Sequence, residues 1–198
     1  MHRLGTLVIV IALAAPAGAA SDWKIDPAHT NVQFSVRHMM ISNVRGEFVK
    51  VGGTVQLDDQ DPTRSKVQAT IDAATLNTRE PKRDEHLRSP DFFDVAKYPT
   101  ITFTSKTIEK TGDNRFKMTG DLALHGVTRA VVLDVESSGA PIKDFMGSTR
   151  AGARATTRVN RKDFGIVWNK ALDGGGIAVG DEVEVTIDVE AIKQPAGE

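Results

Sequence analysis

The chain reads as an all-β fold of seven or eight antiparallel strands, a sandwich or a closed barrel, with one short helical insertion. Two observations predict it. Apolar residues recur at every second position in eight stretches, the pattern of a strand with one buried face. Turn signals separate many of them, among them Asp59–Pro62, Thr111–Asn114, Gly139–Pro141 and Gly174–Gly176. A third observation favours a hollow barrel: one strand offers mainly alanine to the interior, too small to fill a barrel centre by itself.

Ahead of the strands, Met1–Arg3 is short and basic, Leu4–Ala15 is almost wholly apolar, and Pro16–Ala20 ends in small residues. That order is an export signal, with cleavage expected after Ala19 or Ala20. The apolar run falls short of the ~20 residues a spanning helix needs. Residues 1–20 are therefore expected to be removed, leaving an exported, soluble domain over 21–193 and a flexible tail at 194–198. The chain contains no cysteine, so stability in an oxidising compartment has to come from an ordinary apolar core. With 25 basic and 26 acidic residues, bulk charge gives no support for binding nucleic acid.

The first strand, NVQFSVRH, sets Val32, Phe34, Val36 and His38 on one face. RGEFVKVGGTVQLD is long, and Gly52–Gly53 suggests a bulge or bend within it. KVQATID alternates Val67, Ala69 and Ile71 with polar residues, and TITFTSK places Ile101 and Phe103 together. RFKMTGDLAL aligns Phe116, Met118, Leu122 and Leu124, and a tight turn at His125 leads into VTRAVVLDV. In TRAGARATTRVN the arginines share one face and must meet water, so Ala151, Ala153 and Ala155 turn inward. EVEVTIDVEAI closes the series. Between KVQATID and TITFTSK the rhythm breaks. Pro81 can open a helix, Lys82–Arg88 are good helix formers, and Phe92 and Phe93 need cover. The economical reading is a helical lid whose aromatics plug one end of a barrel.

Motifs for catalysis are sparse. His29, His38, His86 and His125 form no HxH or HExxH spacing, and no G-x-S-x-G elbow or cysteine nucleophile is present. The strand acids alternate outward, which argues against paired carboxylates in a pocket. A zinc site would need His38, His86 and Asp84 to converge.

WKIDPAHTNVQFSVRHMMISNVRGEF, RDEHLRSPDFFDVAKYPTITFTS, GDLALHGVTRAVVLDV and NRKDFGI, in that order, closely resemble the YceI family, lipocalin-like polyisoprenoid-binding proteins of the bacterial periplasm. The resemblance implies an eight-stranded antiparallel lipocalin-like barrel that binds, and carries or stores, an amphipathic long-chain lipid in its interior. It implies a periplasmic location and no cofactor beyond a bound lipid, for example an isoprenoid quinone such as a ubiquinone, or a polyprenyl phosphate. The expected lining and lid residues are Phe34, Val36, His38, Ile71, Arg83, His86, Phe92, Phe93, Ile101, Phe103, Phe116, Met118, Ala153 and Ala155. His38 would donate to a quinone or phosphate oxygen, or be satisfied by backbone or Asp84; Arg83 and His86 would meet the head group or stay solvated. Arg161 and Asp163 read as a local ion pair, and Trp168 as closing the other mouth or covering an edge. The alternatives are an enzyme, or metal-dependent hydrolase, acting on such a lipid, and a stress-related interaction protein whose cavity is incidental. A membrane donor or acceptor would load the lipid, and exposed strand edges or the lid face could pair into a homodimer.

Overall fold

The two-residue alternation is realised as twelve strand segments in a computed structural model that describes residues 20–195. The expected export signal, but for its last residue, and the end of the tail lie outside the described residues. The segments are β1 (Ser21–Ile25), β2 (Asn31–His38), β3 (Ser42–Phe48), β4 (Val51–Leu57), β5 (Lys66–Asp72), β6 (Leu76–Asn77), β7 (Thr100–Gly112), β8 (Arg115–Leu124), β9 (Val127–Ser137), β10 (Ile142–Lys143), β11 (Thr149–Asn160) and β12 (Val179–Lys193). The helix α1 (Pro81–Arg88) lies between β6 and β7.

Six of the segments are halves of three bent strands. β1 and β2 both run antiparallel to β12, Trp23 opposite Lys193 and Phe34 opposite Val185. β4 pairs with β1 and β3 with β2, while β5 pairs with β4 and β6 with β3. With each bent strand counted once, and the two-residue β10 set aside because it pairs only with the start of β11, eight antiparallel strands each bond to the next, and β12 bonds back to the first. The result is a closed up-and-down barrel, which removes the exposed edges an open sheet would carry. Of the two architectures the alternation allowed, the barrel is the one formed.

The bend expected at Gly52–Gly53 falls instead at Val49–Lys50, and the two glycines pair in regular register with Thr70 and Ala69. Gly53 is needed for close approach: a Cβ there would sit 2.1 Å from the Gln68 carbonyl oxygen. The register irregularities lie in β7 and near the start of β12.

Two parts of the ring are not laddered: β6 meets β3 only at Glu47 and Phe48 and pairs with no strand on its other side, and a second gap lies between β9 and β11. β11 pairs with β9 only over Ala153–Thr156 against Asp134–Ser137. Below that, Val127–Leu133 bond to β8 and Thr157–Asn160 to β12, and the two runs part. The Thr157 hydroxyl donates to the Val132 carbonyl across the seam at 2.8 Å.

Arg161 follows β11 in a 3-10 turn and is 5% exposed. The expected ion pair with Asp163 does not form. The guanidinium reaches forward, donating to the carbonyls of Gly180 (2.9 Å), Ile166 and Trp168 (2.8 Å each) and Val179 (3.3 Å), and it meets Asp181. A fork of five donors is suited to collecting several acceptors at once. It ties the β11–β12 crossover to the barrel at the lid end, where Phe48, Leu76, Phe92, Ile101, Leu124 and Phe164 form the core.

At the opposite end Arg150 is the hub. It bonds Asp144 (2.6 Å), Asp26 (2.8 Å) and Glu190, joining the β10–β11 hairpin to the barrel wall. His29 and Arg150, with the Ala28 amide, lower the Asp26 carboxyl to about 2. Asp144 is also lowered, first by Arg150. A carboxylate whose folded pKa is depressed contributes stability that is present above its unfolded value and lost as pH falls through the folded one. Thermal melts should therefore show this contribution intact at pH 5, eroding below about pH 4 and gone under about pH 2. Asp26→Asn should melt lower at pH 5 and lose part of the acid dependence; an unchanged acid profile would show that the hub carries none of it.

Candidate functional site

The inward-facing alternate residues do not meet across the barrel axis. They enclose a continuous cavity of about 570 Å³ running from the lid toward the opposite mouth, walled almost wholly by apolar side chains. Two sequence features keep it open. Ala151, Ala153 and Ala155 form one side of the wall. Elsewhere on the wall, two phenylalanine rings rest on glycines of the neighbouring strand: a Cβ on Gly46 would come within 2.4 Å of the Phe34 ring, and one on Gly120 within 2.4 Å of Phe103. A ring that can lie over a glycine follows the wall and does not project across the bore. A cavity of this size and character is within the range of small-molecule sites, ~300–1,000 Å³.

Of the expected site residues, Phe34, Val36, Ile71, Phe92, Phe93, Ile101, Phe103, Phe116, Met118, Ala153 and Ala155 stand on the cavity wall. The three polar ones do not. His38 ends β2 beyond the lined region and is half-buried. Arg83 folds back on the β6–α1 turn, donating to the Thr78 hydroxyl (2.8 Å) and carbonyl (2.9 Å). His86 faces Asp91 at 2.8 Å and stands edge-on to Phe92 and Trp168. Each polar group is captured by a partner within five residues or left at a strand end, so none is delivered to the interior.

The lid closes one end. Glu80 caps α1, Pro81 opens it, and the buried Asp84 carboxylate accepts from the Thr78 amide at 2.8 Å and from its hydroxyl. Beyond the helix, Phe93 meets Phe48 edge-on at 5.6 Å, and Phe92 packs on Trp168 at 5.1 Å. Trp168 therefore belongs to the same plug as α1, not to the far mouth. The far mouth is edged by Asp58, Ser65, Asn114, Ser137 and Gly139. Asp58 is not free there: the amides of Asp61 (2.9 Å) and Gln60 (3.0 Å) and the Arg64 guanidinium (2.9 Å) hold it as a carboxylate.

His38, His86 and Asp84 do not assemble into a metal site, because Asp84 is engaged by Thr78 and His86 by Asp91. Among the described residues Asp26, His29 and Glu190 do cluster at ligand distance. Arg150 already supplies the cation that this acidic group faces.

A family model described as a YceI-like domain matches residues 23–191. Protein YceI of Escherichia coli O17:K52:H18 is 37% identical over 193 residues, covering 96% of this chain and 97% of its own. A Campylobacter jejuni YceI crystal structure superposes with a TM-score of 0.68 at 34% identity, over 80% of this chain and 90% of that one. A domain from Saccharophagus degradans described as polyisoprenoid-binding shares the fold, with a TM-score of 0.64 at 15% identity over 87% and 98% of the two chains.

Proposed function

We propose, on the premise that this chain belongs to the YceI-like family, that it is a periplasmic carrier of an amphipathic long-chain lipid held in the barrel. The observation that carries the reading is the continuous apolar cavity, plugged by aromatics at the lid and edged by polar groups at the other mouth. An isoprenoid quinone or a polyprenyl phosphate suits it: the tail lies along the alanine and phenylalanine wall, and the head stays at the polar mouth. Each buried CH₂ contributes ~0.8 kcal/mol, so two isoprene units give about 8 kcal/mol before ordering costs. That corresponds to roughly micromolar binding without a charged contact. The description of the Saccharophagus degradans domain as polyisoprenoid-binding supports this ligand class. An incidental cavity in an interaction protein is the weaker reading, since alanines and glycines hold the bore open where larger side chains would fill it.

Native mass spectrometry of the exported protein, purified without detergent, tests the proposal. A lipid adduct that yields a quinone or polyprenyl species on extraction is the expected result. A bare chain mass that persists after incubation with ubiquinone and with a polyprenyl phosphate would overturn it.

A further inference from the structure

The β10–β11 hairpin extends from the open mouth, and its tip is the most exposed apolar feature among the described residues. Phe145 is 99% exposed, Met146 80% and Ile142 66%. The tip is built to hold this shape. Asp144 accepts from the amides of Met146 and Ser148, both at 2.9 Å, while its other oxygen is fixed by Arg150. The root of the same hairpin, at Gly139 and Pro141, forms part of the cavity rim. One element thus carries both the edge of the bore and an apolar tip pointing away from it.

We propose that this tip inserts into the interfacial region of a phospholipid bilayer and sets the open mouth against the membrane. The proposal rests on the lipid-carrier reading, because a long-chain lipid has to be exchanged with a bilayer. Charge around the mouth fits that approach. The exposed Lys143 flanks the tip. The β4–β5 loop, which carries Asp58, Asp59 and Asp61, joins the second and third strands of the ring, whereas the hairpin joins the sixth and seventh. In a ring of eight these positions face each other across the mouth, and the acids on both sides are paired, Asp58 and Asp61 with Arg64, Asp59 with Lys193 and Asp144 with Arg150, so they offer little charge to oppose the approach. The opposite end has its own exposed apolar turn at Met40 and Ile41, but the aromatic plug closes the bore there.

Flotation of the exported protein with phosphatidylcholine vesicles, with and without anionic phosphatidylglycerol, tests the proposal. Binding should occur on both and survive 1 M salt, because screening does not remove apolar insertion. Phe145→Ser with Met146→Ser should weaken partitioning by about ten-fold or more, as expected when two large apolar side chains are withdrawn from the interface. Ile41→Ser should leave it unchanged. The proposal fails if the wild type does not float, if the tip variant floats like wild type, or if Ile41→Ser is the change that abolishes binding. It also fails if light scattering finds a dimer that the tip variant dissolves, since the tip would then be a contact between copies. Native mass spectra of the same samples separate the two readings: lipid-loaded protein that does not float removes the docking and leaves the carrier, while floating protein that never holds lipid removes the carrier.

Discussion

Replacing Arg161 by alanine is expected to destabilise the protein by about 3–5 kcal/mol, the cost of breaking a buried charged network from one side. The side chain serves the backbone carbonyls of Ile166, Trp168, Val179 and Gly180 as well as Asp181. Asn169 also donates to the Val179 carbonyl and Lys162 also pairs with Asp181, so the loss falls mainly on the carbonyls of Ile166, Trp168 and Gly180, and each buried group left unsatisfied costs about 1–3 kcal/mol. Lysine should rescue little, since a single ammonium cannot reach carbonyls on both sides of the crossover. Urea unfolding of wild type, Arg161→Ala and Arg161→Lys measures the difference. A loss below about 1 kcal/mol would mean that water reaches these carbonyls. Because Trp168 is held through this network, surviving Arg161→Ala protein should also show a loosened plug, read as a change in tryptophan emission.

Filling the bore should produce the largest functional effect. Ala153 and Ala155 lie on the wall where β11 pairs with both neighbours, opposite Val189 and Ile187 on one side and Ser137 and Val135 on the other. Phenylalanine at both positions would project rings into space that is empty of side chains, so the usual overpacking cost of about 1–3 kcal/mol should be small or absent. Displacing even three CH₂ groups of a bound chain removes ~2.4 kcal/mol, more than a ten-fold loss of affinity. The double variant should keep its β-sheet circular dichroism and melting temperature yet yield no lipid adduct by native mass spectrometry. An undiminished adduct would place the lipid elsewhere than against β11.

Much of the barrel was legible because its determinants are local. Alternation over seven or more residues marks a strand and its inward face, and it identified the alanine wall and most of the phenylalanines. Asp22-Trp23-Lys24-Ile25 was missed as a strand because so short a run gives alternation little to repeat. Strands broken by a bend look continuous in sequence, so the division of β3 from β4 was placed at the glycines. Polar residues failed for a different reason. Extending an inward face by one step put His38 in the bore, but the wall ends before the strand does. Asp91 and Thr78 capture His86 and Arg83 through contacts that helix geometry, not alternation, decides. Arg161 was paired with its near neighbour Asp163, whereas several of its partners lie 18 to 20 residues ahead on another strand. The exposed tip at Phe145 carries no signal in the alternation, since exposure depends on what the rest of the chain leaves uncovered.

The unladdered stretches, between β9 and β11 and beside β6, make the lid half of the barrel mechanically a split hoop. In a complete hoop any increase in girth must stretch every rung of hydrogen bonds at once. Here the lid half carries two gaps; the one between β9 and β11 is spanned where it opens by the Thr157 hydroxyl, and Val131, Thr157 and Val159 face both the bore and an outer cleft along it. The lid half of the barrel is consequently the compliant half, able to take chains of different thickness while the fully laddered half holds its diameter. Amides of β9 that point into the gap should exchange with solvent ahead of those bonded to β8. The girth of the lid half is therefore held by fewer hydrogen-bond rungs than that of the mouth half.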